Sequence, residues 1–248
     1  MPRIKLIIEY DGTDFVGWQI QPNGISVQQR LEEALAQLTG ETVRVHSSGR
    51  TDAGVHAQGM VCHFDTAREL PLSAWREGTN RFLPQDIAVR QAEVVADDFH
   101  ARFAAAGKCY RYTLLLDEIR SPLQRRNSWQ VRPPLDLELM RMAARQFVGE
   151  HDFAAFRTSG CAAETTNREI FSVTFYEALP LCHIDIEGSG FLKNMVRMMV
   201  GTLVEIGRGK RPLADIEKLL RGDGAVKPAF TAPPQGLCLR QVHYQARD

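Results

Sequence analysis

Apolar and polar residues alternate at the start of the chain, where every second residue from Ile4 to Tyr10 is aliphatic or aromatic. Because successive side chains of a strand point to opposite faces, the alternation predicts a strand over Arg3 to Tyr10 with one buried face. The apolar spacing becomes helical after residue 26. The residues that share this predicted helical face are Val27, Leu31, Ala34, Leu35 and Leu38.

Polar residues mark both ends of that first helix. Ser26 and Gln29 have the spacing of a capping box, in which the serine hydroxyl accepts a hydrogen bond from the main chain of the first turn. Gly40 stands where a glycine commonly ends a helix in a left-handed conformation. The pattern therefore predicts a helix that begins after Ser26 and ends before Gly40.

The remaining periodicities give the same order of elements twice. The first half has predicted strands over 42–46, 59–64 and 87–95 and a second helix around Leu72 to Leu83. The second half has predicted strands over 108–116, 171–176, 181–187 and 236–244, with helices over 136–148 and 191–206. Each half therefore reads β-α-β-β-α-β, while residues 149–169 and 227–236 have no predicted element.

This repeat predicts an α+β fold of two ferredoxin-like (RRM-like) halves, residues 1–103 and 104–248. We expect their sheets to form a central, mainly antiparallel sheet with an active-site cleft between the halves. The expected junction lies near residues 102–108.

Composition narrows the class of protein. The 30 basic and 30 acidic residues balance, so net charge gives no reason to expect a polyanionic partner. The five cysteines are scattered and never form a C-x-x-C pair, which argues against a disulfide framework or a zinc site and favours a reducing, cytoplasmic compartment. Charged residues interrupt the apolar stretch 191–206, and we expect neither a membrane span nor a signal peptide.

The stretch SSGRTDAGVHAQG, residues 47–59, carries the first candidate chemistry. Gly49 and Gly54 bracket Arg50 and Asp52, and glycine permits unusual backbone angles or the close approach of another chain. One interpretation is a surface turn in which Asp52 caps the backbone and Arg50 is solvated. The other is a rigid loop that presents a carboxylate and a guanidinium to a site. Local chemistry leaves both open.

Arg197 is the second candidate, because the predicted helix around it is apolar on nearly every side. A buried guanidinium needs an anionic partner, and Asp52 in a cleft between the halves would keep its own carboxylate ionised by that pairing. Alternatively, Arg197 lies on a polar stripe with Lys193 and Asn194 and extends to water.

Aromatic residues supply the remaining candidates. Tyr110 and Tyr112 fall on one face of a predicted strand, where they are either core residues or a platform for stacking a nucleobase. The segment DFHARF mixes rings with basic groups, which suits RNA contact or plain packing. Its candidate RNA-contacting residues are Phe99, His100, Ala101, Arg102 and Phe103.

Together these motifs resemble a known family. GRTDAG followed by VHA, YDG followed by FVGWQ, DFHARF, KCYRY and NMVRMMVG occur in the order typical of the bacterial tRNA pseudouridine synthase A family. The resemblance runs from about Tyr10 to Gly236. It implies an isomerase that converts uridine to pseudouridine in the anticodon stem-loop of tRNA, at positions 38 to 40. It also implies a homodimer that needs neither a metal ion nor a cofactor.

The resemblance also assigns roles. Asp52 corresponds to the nucleophile, and Arg197 is similar to the family's partner for that aspartate. Arg50 resembles the residue that fills the gap when the base is flipped out, and Tyr110 the ring that stacks on the target uracil. Residues 99–103 correspond to a segment that contacts RNA. Lys193 and Asn194 stand where related sequences can carry histidines.

Two rival functions remain open at this point. A carboxylate-dependent N-glycosidase would release free uracil, although glycoside hydrolysis ordinarily uses two carboxylates and none accompanies Asp52 in its motif. A non-catalytic RNA-binding protein would bind tRNA and change nothing in it.

Overall fold

The protein is a mixed α+β molecule with mostly antiparallel strand pairing and few helices. The structure, a computed structural model, describes residues 1–160, 163–222, 224 and 226–245. Cys161, one of the five cysteines considered above, lies outside these residues. Contacts divide the chain into two compact units, Met1–Ala106 with Cys238–Asp248, and Gly107–Leu237. The first unit is therefore discontinuous in sequence.

In its described residues, the first unit contains five strands and one long helix. Its two central strands are the first and third in the chain, and every other strand of the unit pairs with one of them. Strand β1 pairs antiparallel with both β3 and β4, β2 pairs antiparallel with β3, and β10 pairs in parallel with β3. The elements are β1 (Arg3–Tyr10), α1 (Val27–Thr39), β2 (His46–Ser47), β3 (His56–Asp65), β4 (Ile87–Val95) and β10 (Leu237–His243).

The core of the first unit follows from the alternation of β1. The even-numbered residues of this strand are at most 3% exposed, and Ile8 stands opposite Met60 in the register of β1 with β3. Phe64 meets Trp75 edge-on, with ring centroids 5.5 Å apart. Trp75 lies on a short π-helical segment, Ala74–Gly78. The predicted buried face of β1 is thereby confirmed.

Helix α1 has the ends that its sequence predicts. The Ser26 hydroxyl accepts a hydrogen bond from the backbone N–H of Gln29 at 3.2 Å, and Gly40 ends the helix with φ 73°. The Gln29 side chain donates to Glu33 at 2.9 Å, and it does not accept the reciprocal hydrogen bond from the Ser26 N–H. Only half of the reciprocal capping box is therefore formed.

The second unit is built on β5, β8 and β9. Strand β9 pairs antiparallel with both β5 and β8, β7 pairs antiparallel with β8, and the two residues of β6 pair in parallel with β5. The elements are β5 (Gly107–Leu115), β6 (Trp129–Gln130), α2 (Leu137–Ala144), β7 (Gly149–Asp152), β8 (Asn167–Ala178), β9 (Leu181–Gly188), α3 (Met195–Gly207) and α4 (Asp215–Arg221).

Helix α3 is the apolar centre of the second unit. Eleven of its thirteen residues are buried, as its composition predicts. Its last residue, Gly207, passes so close to α2 that an added Cβ would lie 2.7 Å from the Met140 side chain. The N-cap of α2, Asp136, accepts from the backbone N–H of Leu139 at 2.8 Å and donates its own N–H to the Gly207 carbonyl. No helix in the described ranges is long and apolar enough to cross a membrane.

Several predicted boundaries are wrong. The strand expected over 42–46 is reduced to the two residues of β2, and the helix expected from Phe191 begins only at Met195, because Asn194 has a left-handed backbone. The second helix of the first half is present over residues 72–80, with a π-helical centre at Ala74–Gly78, and ends before the predicted Leu83. The polar stretch 149–169 contains β7 and a 3-10 turn, and α4 was not predicted.

The last predicted strand, over residues 236–244, is present as β10. It pairs in parallel with β3, where Cys238 stands opposite His56. The division between units after Ala106 lies within the expected junction.

The Ser26 cap generates a stability prediction. We expect Ser26→Ala to lower the free energy of unfolding by about 1 kcal/mol, because the first turn of α1 loses its side-chain acceptor. Urea denaturation followed by circular dichroism measures the change. Ser73 precedes the π-helical segment without making a capping hydrogen bond, so Ser73→Ala is the matched control. Equal effects of the two substitutions would contradict the capping role.

Candidate functional site: the Arg50–Asp52 loop and the arginine of helix α3

The loop that carries Arg50 and Asp52 is anchored on both sides. Before it, the backbone N–H of Ser48 donates to the Val61 carbonyl at 2.8 Å, and Ser48 is fully buried. Within it, the Thr51 hydroxyl bonds the Tyr10 hydroxyl at 2.8 Å. The main chain of the loop is thus fixed immediately before and between the two candidate residues.

A second segment, residues 10–18, packs its backbone directly on the loop. The Trp18 N–H donates to the Thr51 carbonyl at 3.1 Å, and Gly17 forms an isolated antiparallel bridge with Asp52. Gly17 has φ 107°, and a Cβ added to it would lie 2.6 Å from the Thr51 carbonyl oxygen. Only glycine allows this approach. The motif YDG followed by FVGWQ therefore supports the aspartate loop.

The loop closes in a tight turn directly after Asp52. The Val55 N–H donates to the Asp52 carbonyl at 3.2 Å, and Gly54 has φ 77°. The Asp52 residue is partly buried, whereas Arg50 is exposed. The surface-turn interpretation is correct for the main chain, and the same turn holds the carboxylate on a rigid base.

His56, the first residue of β3, packs against the turn that follows β1. It is 6% exposed, and its Nδ1 lies 3.0 Å from the Gly12 N–H, which donates to it, and 3.1 Å from Asp11 Oδ1. These contacts tie the start of β3 to the turn after β1. A Cβ at Gly12 would meet the Val55 carbonyl oxygen at 2.0 Å, so this turn also depends on glycine.

The 99–103 turn lies beside the strand that leads into the aspartate loop. The His63 Nδ1 accepts from the Ala101 N–H at 3.2 Å, and the Tyr244 hydroxyl donates to the Ala101 carbonyl at 2.7 Å. The ring of His46 in β2 lies 5.8 Å from that of His100. Ala101 is buried, whereas Arg102 and Phe103 are exposed and Phe103 is 77% accessible.

Burial keeps His63, which supports the 99–103 turn, in its neutral form. Desolvation lowers the pKa of His63 to about 4, and the neighbouring His100, Arg3 and His46 add to the shift. A neutral His63 is what the hydrogen bond from Ala101 requires, because Nδ1 must accept it. Although the rings of His46, His63 and His100 lie close together here, nowhere in the described ranges do three or more histidine, cysteine or acidic side chains form a candidate metal site.

Tyr110 belongs to the second unit. It lies on β5 opposite Ile186, is 8% exposed, and meets Phe191 edge-on with ring centroids 5.1 Å apart. Tyr112 shares its face, and its hydroxyl donates to the Pro233 carbonyl at 2.7 Å. Burial raises the pKa of Tyr112, and the positive charge of Arg197 opposes that rise.

Arg197 lies on α3 and is half-buried. Its burial is thus intermediate between the fully buried guanidinium and the solvent-exposed one that the sequence left open. Its Nε donates to the Ala232 carbonyl at 2.7 Å and its Nη1 to Asn194 Oδ1 at 2.7 Å. Both of these acceptors are uncharged, so they orient the guanidinium without neutralising it. The structure thus places Arg197 and Tyr110 in one unit, and Asp52, Arg50 and the 99–103 turn in the other.

Comparison with known proteins agrees with this arrangement of motifs. The sequence model of a family described as tRNA pseudouridine synthase matches residues 6–104 and 143–245. The chain belongs to this family. A protein named tRNA pseudouridine synthase A from Syntrophotalea carbinolica is 59% identical to this chain, and the match covers all of this chain and 98% of that protein. The protein of the same name from Geobacter sp. strain M21 is 57% identical, and the match covers 98% of this chain and 99% of that protein. The Myxococcus xanthus protein of the same name is 48% identical over 99% of this chain and 93% of its own length.

Membership of the tRNA pseudouridine synthase family establishes the class of enzyme, an isomerase that makes pseudouridine from uridine in tRNA. The family expectation drawn from the motifs is thereby confirmed. The sequence analysis did not single out Gly17, which supports Asp52, and it placed Asn194, which holds Arg197, only on a polar stripe beside that arginine. Both residues lie within the motifs, yet nothing in their spacing indicates the contact of Gly17 with Asp52 or of Asn194 with Thr158.

The Gly17 contact generates the second prediction. We expect Gly17→Ala to reduce pseudouridine formation and stability together, because the methyl group meets the Thr51 carbonyl and displaces the Asp52 loop. Tritium release from C5-labelled uridine in tRNA measures activity, and thermal melting measures stability.

Gly40→Ala is the control for this substitution. Gly40 also has positive φ, 73°, but the nearest atom to its added Cβ is 3.7 Å away. Conformational strain there should cost about 1–2 kcal/mol and leave the activity of the folded enzyme unchanged. An active Gly17→Ala enzyme would show that the bridge to Asp52 is dispensable.

Proposed function

We propose that this enzyme isomerises uridine in the anticodon stem-loop of tRNA, at positions 38 to 40, with Asp52 as its nucleophile. The observation that carries the proposal is the two-sided anchoring of the loop, in which Thr51 and Gly17 hold the backbone on either side of a partly buried carboxylate. A group that must attack one atom of a flipped nucleotide benefits from such a fixed base. The motif GRTDAG identifies Asp52 as the acid concerned.

The reaction explains why one carboxylate suffices. The N1–C1′ bond breaks, the freed uracil turns, and a C5–C1′ bond forms while C5 releases its proton to water and N1 gains one. No electrons or other atoms are exchanged overall, so the residues need to supply only a nucleophile and a pocket that retains the detached base.

Arg197 is proposed as the partner that keeps the Asp52 carboxylate ionised. A guanidinium near a carboxylate lowers the pKa of the acid, and ionisation is what nucleophilic attack requires. The support within the second unit is the orientation of the guanidinium by the uncharged oxygens of Ala232 and Asn194.

The remaining roles concern the RNA. A uridine inside a stem must leave the stack before reaction, at a cost of a few kcal/mol. We assign Arg50, which is exposed at the tip of the anchored loop, to filling the vacated space. Tyr110 is assigned to stacking on the flipped uracil, and residues 99–103 to contacting the RNA through the exposed Arg102 and Phe103.

The finer architecture is also a proposal. The antiparallel order β4-β1-β3-β2 in the first unit is that of a ferredoxin-like half, and β5, β9 and β8 follow the same order in the second. We propose two such halves with a cleft for RNA, acting as a homodimer. Cys62, Cys109, Cys182 and Cys238 form no disulfide, which suits a cytoplasmic enzyme.

Asp52→Asn tests the nucleophile. We expect this variant to release no tritium from C5-labelled tRNA while binding tRNA with unchanged affinity, because the amide keeps the shape and loses the nucleophilic charge. Asp97→Asn, an exposed acid of the same unit, is the control and should react normally. Full activity of Asp52→Asn would exclude it as the nucleophile.

The same assay separates the two rival functions. Free uracil among the products would indicate an N-glycosidase, and unaltered tRNA after prolonged incubation with the natural protein would indicate an RNA-binding protein without catalysis.

Arg50→Ala tests base flipping. We expect a decrease in single-turnover rate of roughly tenfold or more, because the extruded nucleotide is no longer replaced in the stem. Arg44→Ala removes an arginine that is also exposed, from the segment leading into β2, where Arg44 pairs with Glu32, and should change the rate little. A tRNA carrying a mismatched target pair should recover part of the Arg50→Ala loss. Equal rates for the two alanine variants would remove the flipping role.

A further inference from the structure

Asn194 has a backbone conformation that its sequence context does not require. Within the described residues, it is the one non-glycine residue with positive φ, at 63°. It occupies the N-cap of α3, where asparagine ordinarily has extended backbone angles and its side chain accepts from the first turn. Here the side chain makes no capping hydrogen bond. A left-handed residue that forgoes its usual role calls for a functional explanation.

The Asn194 amide has two partners instead. Its Oδ1 accepts from Arg197 Nη1 at 2.7 Å, and its Nδ2 donates to the Thr158 hydroxyl at 2.9 Å. These contacts are mutually dependent. The guanidinium can only donate, so it requires the oxygen of the amide, and the Thr158 hydroxyl accepts from the nitrogen, which turns the oxygen toward Arg197.

The backbone around this amide is held independently. The Thr158 N–H donates a hydrogen bond to the Lys193 carbonyl at 3.4 Å, and the Met198 N–H donates one to the Asn194 carbonyl at 3.0 Å. On the other side of the guanidinium, the Ala232 carbonyl accepts from Nε at 2.7 Å, and the Ala232 N–H donates to the Arg197 carbonyl at 3.2 Å. Two of the five donor hydrogens of Arg197 are thereby directed to fixed oxygens.

We propose that Asn194 is a positioning residue for Arg197, with Thr158 fixing the direction of its amide. Asn194 touches neither substrate nor nucleophile in this account. It acts by holding the guanidinium in one orientation. The Arg197 side chain is therefore already ordered when it takes part in the chemical step. The inference rests on the proposed function only in that Arg197 serves the chemical step.

Asn194→Gly removes the amide and keeps the backbone, because glycine adopts positive φ without strain. We expect the single-turnover rate of tritium release to decrease roughly tenfold or more, since small misplacements of a catalytic group have large kinetic effects. Affinity for tRNA and the melting temperature should change little. A merely structural role would instead lower stability or weaken binding and leave the rate at saturating enzyme unaltered.

The paired substitutions Thr158→Val and Thr158→Ser test the second contact without touching α3. Valine keeps the shape and loses the hydroxyl, so the amide can turn and the rate should decrease, though less than in Asn194→Gly. Serine retains the hydroxyl and should restore the natural rate. If Asn194→Gly unfolds the protein, this pair still decides the matter, because equal rates for valine and serine would overturn the proposal.

Asp52→Asn in the same series separates the two inferences. An inactive Asp52→Asn enzyme beside a fully active Asn194→Gly enzyme would refute the positioning role and leave the nucleophile assignment standing. An active Asp52→Asn enzyme would overturn the proposed mechanism whatever the result at Asn194.

Discussion

The contact on which the candidate site depends is the approach of one backbone to another, where Gly17 meets Thr51 and Asp52. A loop rich in small residues would ordinarily sample many conformations, and the conformational entropy lost by fixing it is about 1–2 kcal/mol per residue. The bridge at Gly17, the hydroxyl pair of Tyr10 and Thr51, and the turn at Val55 together offset that loss. The carboxylate of Asp52 therefore projects from a main chain as constrained as a strand.

A comparable logic applies to the arginine of α3. The apolar helix provides a rigid support, yet a long side chain at its first turn would move freely without polar partners. The carbonyl of Ala232 and the amide of Asn194, both uncharged, restrict it from two sides. In both units, neutral polar groups hold the charged group in place.

The sequence predicted β1, α1, β4, β5 and the β8–β9 hairpin well. In β1 and β9 burial alternates at the strand period, and in α1 the buried residues follow the helical period. Periodicity failed where the backbone departs from that rule. The left-handed Asn194 delays α3, and β7 lies in a polar segment with no alternation. The motifs located Asp52, Arg50, Tyr110 and Arg197 in the sequence. The contacts of Gly17 with Thr51 and Asp52, and of Asn194 with Thr158, join residues 34 to 36 positions apart, and no local pattern encodes such pairs.

Strand β10 has a consequence for how the molecule is made. Its pairing with β3 joins residues 238 and 56, and all of the second unit lies between them in the chain. During synthesis, β3 cannot pair with β10 until about 180 further residues have left the ribosome. Contacts between residues so far apart in sequence also form slowly, because a long loop must close first. The first unit therefore completes its folding late in biosynthesis. Until then the unpaired edge of β3 must be covered by the rest of the nascent chain or by a chaperone, because an exposed strand edge promotes aggregation.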